Sequence, residues 1–139
     1  LFIDAKRELI LYLRLSQALK ERRKMQDRDK ALVIGGTCAS MMQMKAVEKF
    51  CRSVILQRNH GHMLKRWDSF TEALEYEDFH LLLKQIKRKL PEDRAIEMLE
   101  ELDYQCPVRK SDHDSNESFA AAVLGIEHKW LMENFGDED

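Results

Sequence analysis

The amino-acid sequence predicts an all-α fold, a compact bundle of five or six amphipathic helices, and three observations carry that reading. Each apolar segment repeats at the 3.6-residue period of a helix, and none alternates with the period of two that marks a half-buried strand. Charged residues make up 35% of the chain, while proline and glycine together occupy only seven of its 139 positions, a balance that suits long helices. Threonine is nearly absent as well.

The first helix is read from about Asp4 to the neighbourhood of Lys24, or on to Ile34, with Gly35 and Gly36 as its stop. Leu9, Tyr12, Leu13 and Leu19 line one face with Phe2, and Ile10, Leu11 and Leu15 fill most of the rest. A helix apolar nearly all round is expected to be central. The mixed-sign run from Lys20 to Lys30 reads as a solvated face or an exposed extension.

Thr37 or Ser40 can cap a second helix with the stripe Met44, Val47, Phe50, Cys51, Val54 and Ile55, its outward side carrying Lys45, Glu48, Lys49 and Arg52. Asn59 and Gly61 mark its end. Leu64, Trp67, Phe70 and Leu74 form a shorter apolar set, within which Ser69 and Glu72 have capping-box spacing.

The stretch from Phe79 to Asp103 reads as a helical hairpin broken at Pro91, which cannot continue the first arm but suits the start of a second. Phe79, Leu82, Leu83, Ile86 and Leu90 form the apolar face of the first arm, opposite Lys84, Lys87, Arg88 and Lys89. Ala95, Met98, Leu99 and Leu102 form that of the second, with Glu97, Glu100, Glu101 and Asp103 elsewhere. Residues 104–118 are polar and aperiodic, a loop within the domain. The last helix is expected from near Glu117 to Gly136, with Phe119, Val123, Ile126 and Trp130 on one face and an acidic tail, 137–139, beyond.

A chain of this length predicts one domain, residues 1–136. Because it begins with leucine, it reads as a piece excised from a longer polypeptide. No apolar run approaches the roughly 18 residues that a membrane span needs. Three cysteines, Cys38, Cys51 and Cys106, form no close pair, which fits an intracellular, cytoplasmic or nuclear, setting. The net charge of −2 conceals an asymmetry: residues 1–90 carry 19 Lys and Arg against 11 Asp and Glu, and the remainder 4 against 14. Either the acidic part packs beside the basic part, or one of them meets a charged partner.

No catalytic constellation stands out. Asp112, Asp114 and Asn116 imitate the start of a calcium loop, but Glu117 replaces the required glycine and Val123 the closing glutamate. The cysteines and His60 and His62 lack zinc-site spacing, and nothing nearby activates a thiolate. No metal or other cofactor is called. Gly35, Gly36 and Thr37 lack the lysine and spacing of a phosphate-binding loop. Ser111 and Ser115 have acidic neighbours and could accept a phosphate.

The run KAVEKFCRSVILQRNH, Lys45 to His60, resembles the helix that carries the third homology motif in survival proteins of the B-cell-lymphoma family, which are all-helical. The match spans about a tenth of the chain. The family's Leu-x-x-x-Gly-Asp core and its Asn-Trp-Gly-Arg are absent, and Trp130 is the only other echo, so the family is not assigned. The sequence therefore points to a non-enzymatic interaction or scaffold domain that binds another protein, through an amphipathic helix or by self-association. Leu11, Leu15 and Trp130 are the expected partner-binding residues, because apolar side chains outside the main stripe of a helix need cover. One alternative is a helical nucleic-acid binder using the basic faces at 20–30 and at Lys84, Lys87, Arg88 and Lys89. A second is a helical regulator of the kind that the resemblance implies.

Overall fold

The helix that the others surround is Met25–Met41, and every residue from Ala31 to Ala39 within it is buried. Its sequence there, ALVIGGTCA, offers an apolar or small surface on all sides, so it can be covered on all sides. The computed structural model describes residues 4–136. Among these are eight α-helices and no strand: α1 (Ala5–Glu21), α2 (Met25–Met41), α3 (Lys45–Arg58), α4 (Phe70–Ala73), α5 (Glu77–Lys89), α6 (Glu92–Glu101), α7 (Asn116–Val123) and α8 (His128–Phe135). The all-α class is as predicted, and the count exceeds the expected five or six. Phe2 and the tail 137–139 lie outside the described residues.

α1 and α3 flank α2, α4 and α5 lean on it, α6 and α7 pack on α1, and α8 on α3. Pairings between Glu8 and Cys38 and between Leu13 and Gly35 run α1 antiparallel to α2. α1 is thus well buried, but α2 is the centre, a correction to the sequence reading.

Gly35 and Gly36 do not stop a helix; they lie inside α2. A Cβ on Gly36 would stand 2.3 Å from Phe70 Cε2, and one on Gly35 2.9 Å from Leu13 Cδ2. Both glycines are there for close approach. Nor are Thr37 and Ser40 caps. Thr37 donates its hydroxyl to the Val33 carbonyl at 2.8 Å, and the Ser40 hydroxyl meets that of Thr71 at 2.7 Å.

The ends of α1 and α2 carry no glycine. α1 closes through Arg23 at φ 58°, with Lys24 N–H donating to the Leu19 carbonyl and Arg23 N–H to that of Lys20. Gln43 at φ 60° closes α2 in the same way, through Met44 N–H to Ala39 and Gln43 N–H to Ser40. Asp103 (φ 50°) and Gly125 (φ 80°) repeat the device after α6 and α7. The last of these splits the single C-terminal helix expected from Glu117 to Gly136 into α7 and α8.

Two acids expected at the surface are buried. Asp29, within the run read as solvated, accepts Arg28 Nε at 3.1 Å on one oxygen and Arg58 Nε and Nη2 at 2.7 and 2.6 Å on the other. Those guanidinium groups hold its charge and tie the end of α3 to the start of α2. Glu48 accepts the backbone N–H of Thr71 at 3.1 Å and its hydroxyl, so it helps to cap α4 from a neighbouring helix. Ser69 caps the same helix as its spacing suggests, accepting Glu72 N–H at 3.0 Å, while Glu72 reaches back to Asp68 N–H at 2.7 Å.

The break at Pro91 is as predicted, with Leu90 pushed to φ −134° and Pro91 at φ −69° immediately before α6. Tyr12 donates its hydroxyl to the Leu90 carbonyl at 2.8 Å, satisfying an acceptor that the broken helix leaves open. The two arms address α1 instead of each other. Lys87 of α5 lies 3.6 Å from Glu8, and Glu92 of α6 lies 2.7 Å from Arg7. The 104–118 loop contains one 3₁₀ turn, Lys110–Asp112, and ends where Ser115 caps α7 through Ser118 N–H.

Candidate partner-binding groove

α1 carries more apolar side chains than α2 alone can cover. Leu9, Leu13, Leu15 and Leu19 are all buried, enclosed as α2, α6 and α7 close around the helix. Leu15 is completely inaccessible, which corrects its place among the partner-binding residues: it is core. Leu11 differs. It is half-buried, and with Ile10 it faces Ile96 and Leu99 of α6 across a surface groove of about 410 Å³. Ile96 is 37% exposed, high for an isoleucine beside other apolar side chains.

The rim of this groove is charged. Asp4, Lys6, Arg7 and Arg14 line it. Asp4 is occupied as the cap of α1, accepting Arg7 N–H at 3.1 Å, and the Arg7 guanidinium pairs with Glu92. Arg14 is not so engaged: its Nε is buried and has no hydrogen-bond partner among the described residues. Lys6 adjoins Lys110, whose pKa it lowers as a like-charged side chain held close by.

Trp130 belongs to a different surface. It sits on α8, 43% exposed, with its ring edge-on to Phe50 of α3 at 6.1 Å and 6.0 Å from that of Phe135. The last helix therefore does not cover Leu11, and the three residues expected to meet a partner fall in three places. The basic patch is divided too. Lys84, Arg88 and Lys89 are exposed, whereas Lys87 turns toward Glu8, and Arg28 from the other basic run is buried against Asp29.

The titratable groups in the interior serve structure. Burial, aided by the nearby Glu8 carboxylate, pushes the Cys38 thiol up to about 12, and burial does the same for Cys51, so neither is a nucleophile at neutral pH. Cys38 donates to Glu8 Oε2 at 3.7 Å. His62 is held below its ordinary pKa mainly by burial, and its Nδ1 accepts Leu64 N–H at 3.1 Å, a bond that only the unprotonated nitrogen can make. Among the described residues no group of three His, Cys, Asp or Glu side chains is placed to hold a metal ion, and no helix is long and apolar enough to cross a membrane.

Lys6, Ile10 and Arg14 fall at i, i+4 and i+8, with Arg7 and Leu11 beside them, and this strip is what the sequence reading passed over. Its signal was present as basic residues bracketing an apolar pair. No family model matches the chain, and neither the curated proteins nor the solved structures include a significant match to it.

Proposed function

We propose that this chain is a non-enzymatic interaction domain of an intracellular protein, and that the groove between α1 and α6 receives an apolar face of a partner protein. The observation that carries the reading is the set Ile10, Leu11, Ile96 and Leu99, gathered from two helices and left partly open to water. Burying one such side chain fully is worth about 1.5–3 kcal/mol, so a partner that closes the groove gains from each of them. A groove between helices with apolar anchors at helical spacing is how an amphipathic segment is commonly received. The three free cysteines suit a reducing compartment.

An NMR titration with a panel of synthetic amphipathic helical peptides tests this. The resonances of Ile10, Leu11, Ile96 and Leu99 should shift together, and Ile96→Glu should abolish the shifts without unfolding the domain. Shifts confined to the Trp130 surface, or to Lys84, Arg88 and Lys89 on adding a short DNA duplex, would replace this reading with self-association through α8 or with nucleic-acid binding.

A further inference from the structure

We infer that the partner segment received by the α1–α6 groove is acidic beside its apolar face, and that Arg14, together with Lys6, reads its carboxylates. The inference rests on the groove reading above and adds the chemistry of the occupant. Four charged side chains line the rim, and two are already engaged: Asp4 caps α1, and Arg7 pairs with Glu92 at 2.7 Å. The other two are cationic. Arg14 is part-exposed, but its Nε is buried and has no acceptor among the described residues, and a buried donor left unpaired is costly. Lys6 is exposed and lies beside a second cationic side chain, that of Lys110. A carboxylate arriving here would relieve both, accepting from Arg14 and screening the Lys6–Lys110 repulsion. Within α6, Glu97 and Glu101 lie against Arg94, and Glu92 lies 2.7 Å from Arg7.

The test uses three helical peptides that share one leucine-rich face and carry Glu, Gln or Lys at the flanking positions, with binding read by fluorescence anisotropy at low and physiological salt. The Glu peptide should bind about tenfold to a hundredfold more tightly than the Gln peptide, and the Lys peptide most weakly, with the differences shrinking as salt rises. Arg14→Gln should remove most of that preference. Lys6→Glu, an exposed change that leaves the core untouched, should reduce it even if the Arg14 variant fails to fold. The double variant Lys6→Glu with Arg14→Glu should favour the Lys peptide. Equal binding of all three peptides would overturn the inference and leave the groove reading standing. Binding of none would overturn both, and tighter binding of a DNA duplex or of anionic vesicles through the same residues would overturn the choice of an acidic peptide.

Discussion

Replacing Gly36 with alanine sets two effects of opposite sign against each other. In an ordinary helix interior, alanine is favoured over glycine by about 0.8–1 kcal/mol. Here the new Cβ would lie 2.3, 2.5 and 2.9 Å from three carbons of the Phe70 ring, up to 1.1 Å inside the 3.4 Å of ordinary contact. Phe70 is fully buried, and its ring packs edge-on against Phe79 at 6.0 Å, so it has little room to retreat. Overpacking of this kind costs roughly 1–3 kcal/mol, and the closed site argues for the upper part of that range. The net expectation is destabilisation by about 1–2 kcal/mol, a fall in Tm of a few degrees, read by urea and thermal denaturation. Gly35→Ala is the control. Its Cβ would meet only the tip of Leu13, at 2.9 Å, which a rotation can move, so helix propensity should nearly offset the contact. Combining Gly36→Ala with Phe70→Leu should show a favourable coupling. Stabilisation by Gly36→Ala alone would refute the claim that close approach to α4 requires this glycine.

Three further outcomes follow from the same structure. Arg23→Gly and Gln43→Gly should each stabilise the domain by about 0.5–1 kcal/mol in chemical denaturation, because a side chain at φ near +60° carries a steric cost that glycine avoids. Arg58→Met should cost about 2–3 kcal/mol by the same measurement: it strips Asp29 of its two closest bonds, while 35% exposure of Arg58 and the remaining Arg28 contact keep the loss below the 3–5 kcal/mol of a fully buried pair. His62 has a folded pKa below its unfolded value, so the unfolded chain binds more protons, and stability present above about pH 6.5 should fall as pH drops from there through the folded pKa. His62→Gln should flatten that part of the stability profile.

What could be read from the sequence was whatever is decided locally. Pro91 breaks a helix in any context, and Ser69 with Glu72 satisfies its own helix start, so both were legible. Glycine was ambiguous: it can stop a helix or admit a neighbour, and at Gly36 the choice is made by Phe70, 34 residues away in sequence. Arg23 and Gln43 hid the true turns, since neither residue type announces a left-handed conformation. Asp29 and Glu48 read as surface charges because their partners, Arg58 and Thr71, come from other elements. At the groove, Leu11 and Leu15 are equivalent by periodicity. Only the arrival of α6 and α7 separates the open residue from the closed one.

That separation supplies the most direct measurement of the central claim, that α1 presents a docking strip distinct from its core. Leu11→Glu and Leu15→Glu are compared by thermal melting and by anisotropy with a groove-binding helical peptide. Leu11 is half-buried at the groove, so its variant should melt cooperatively within a few degrees of the parent and lose the peptide. Leu15 has no exposed surface, and an unpaired carboxylate there costs several kcal/mol against a total stability of about 5–15, so its variant should fail to fold or melt far lower. A Leu11→Glu variant that unfolds, or one that stays folded and binds the peptide as tightly as the parent, would contradict the account.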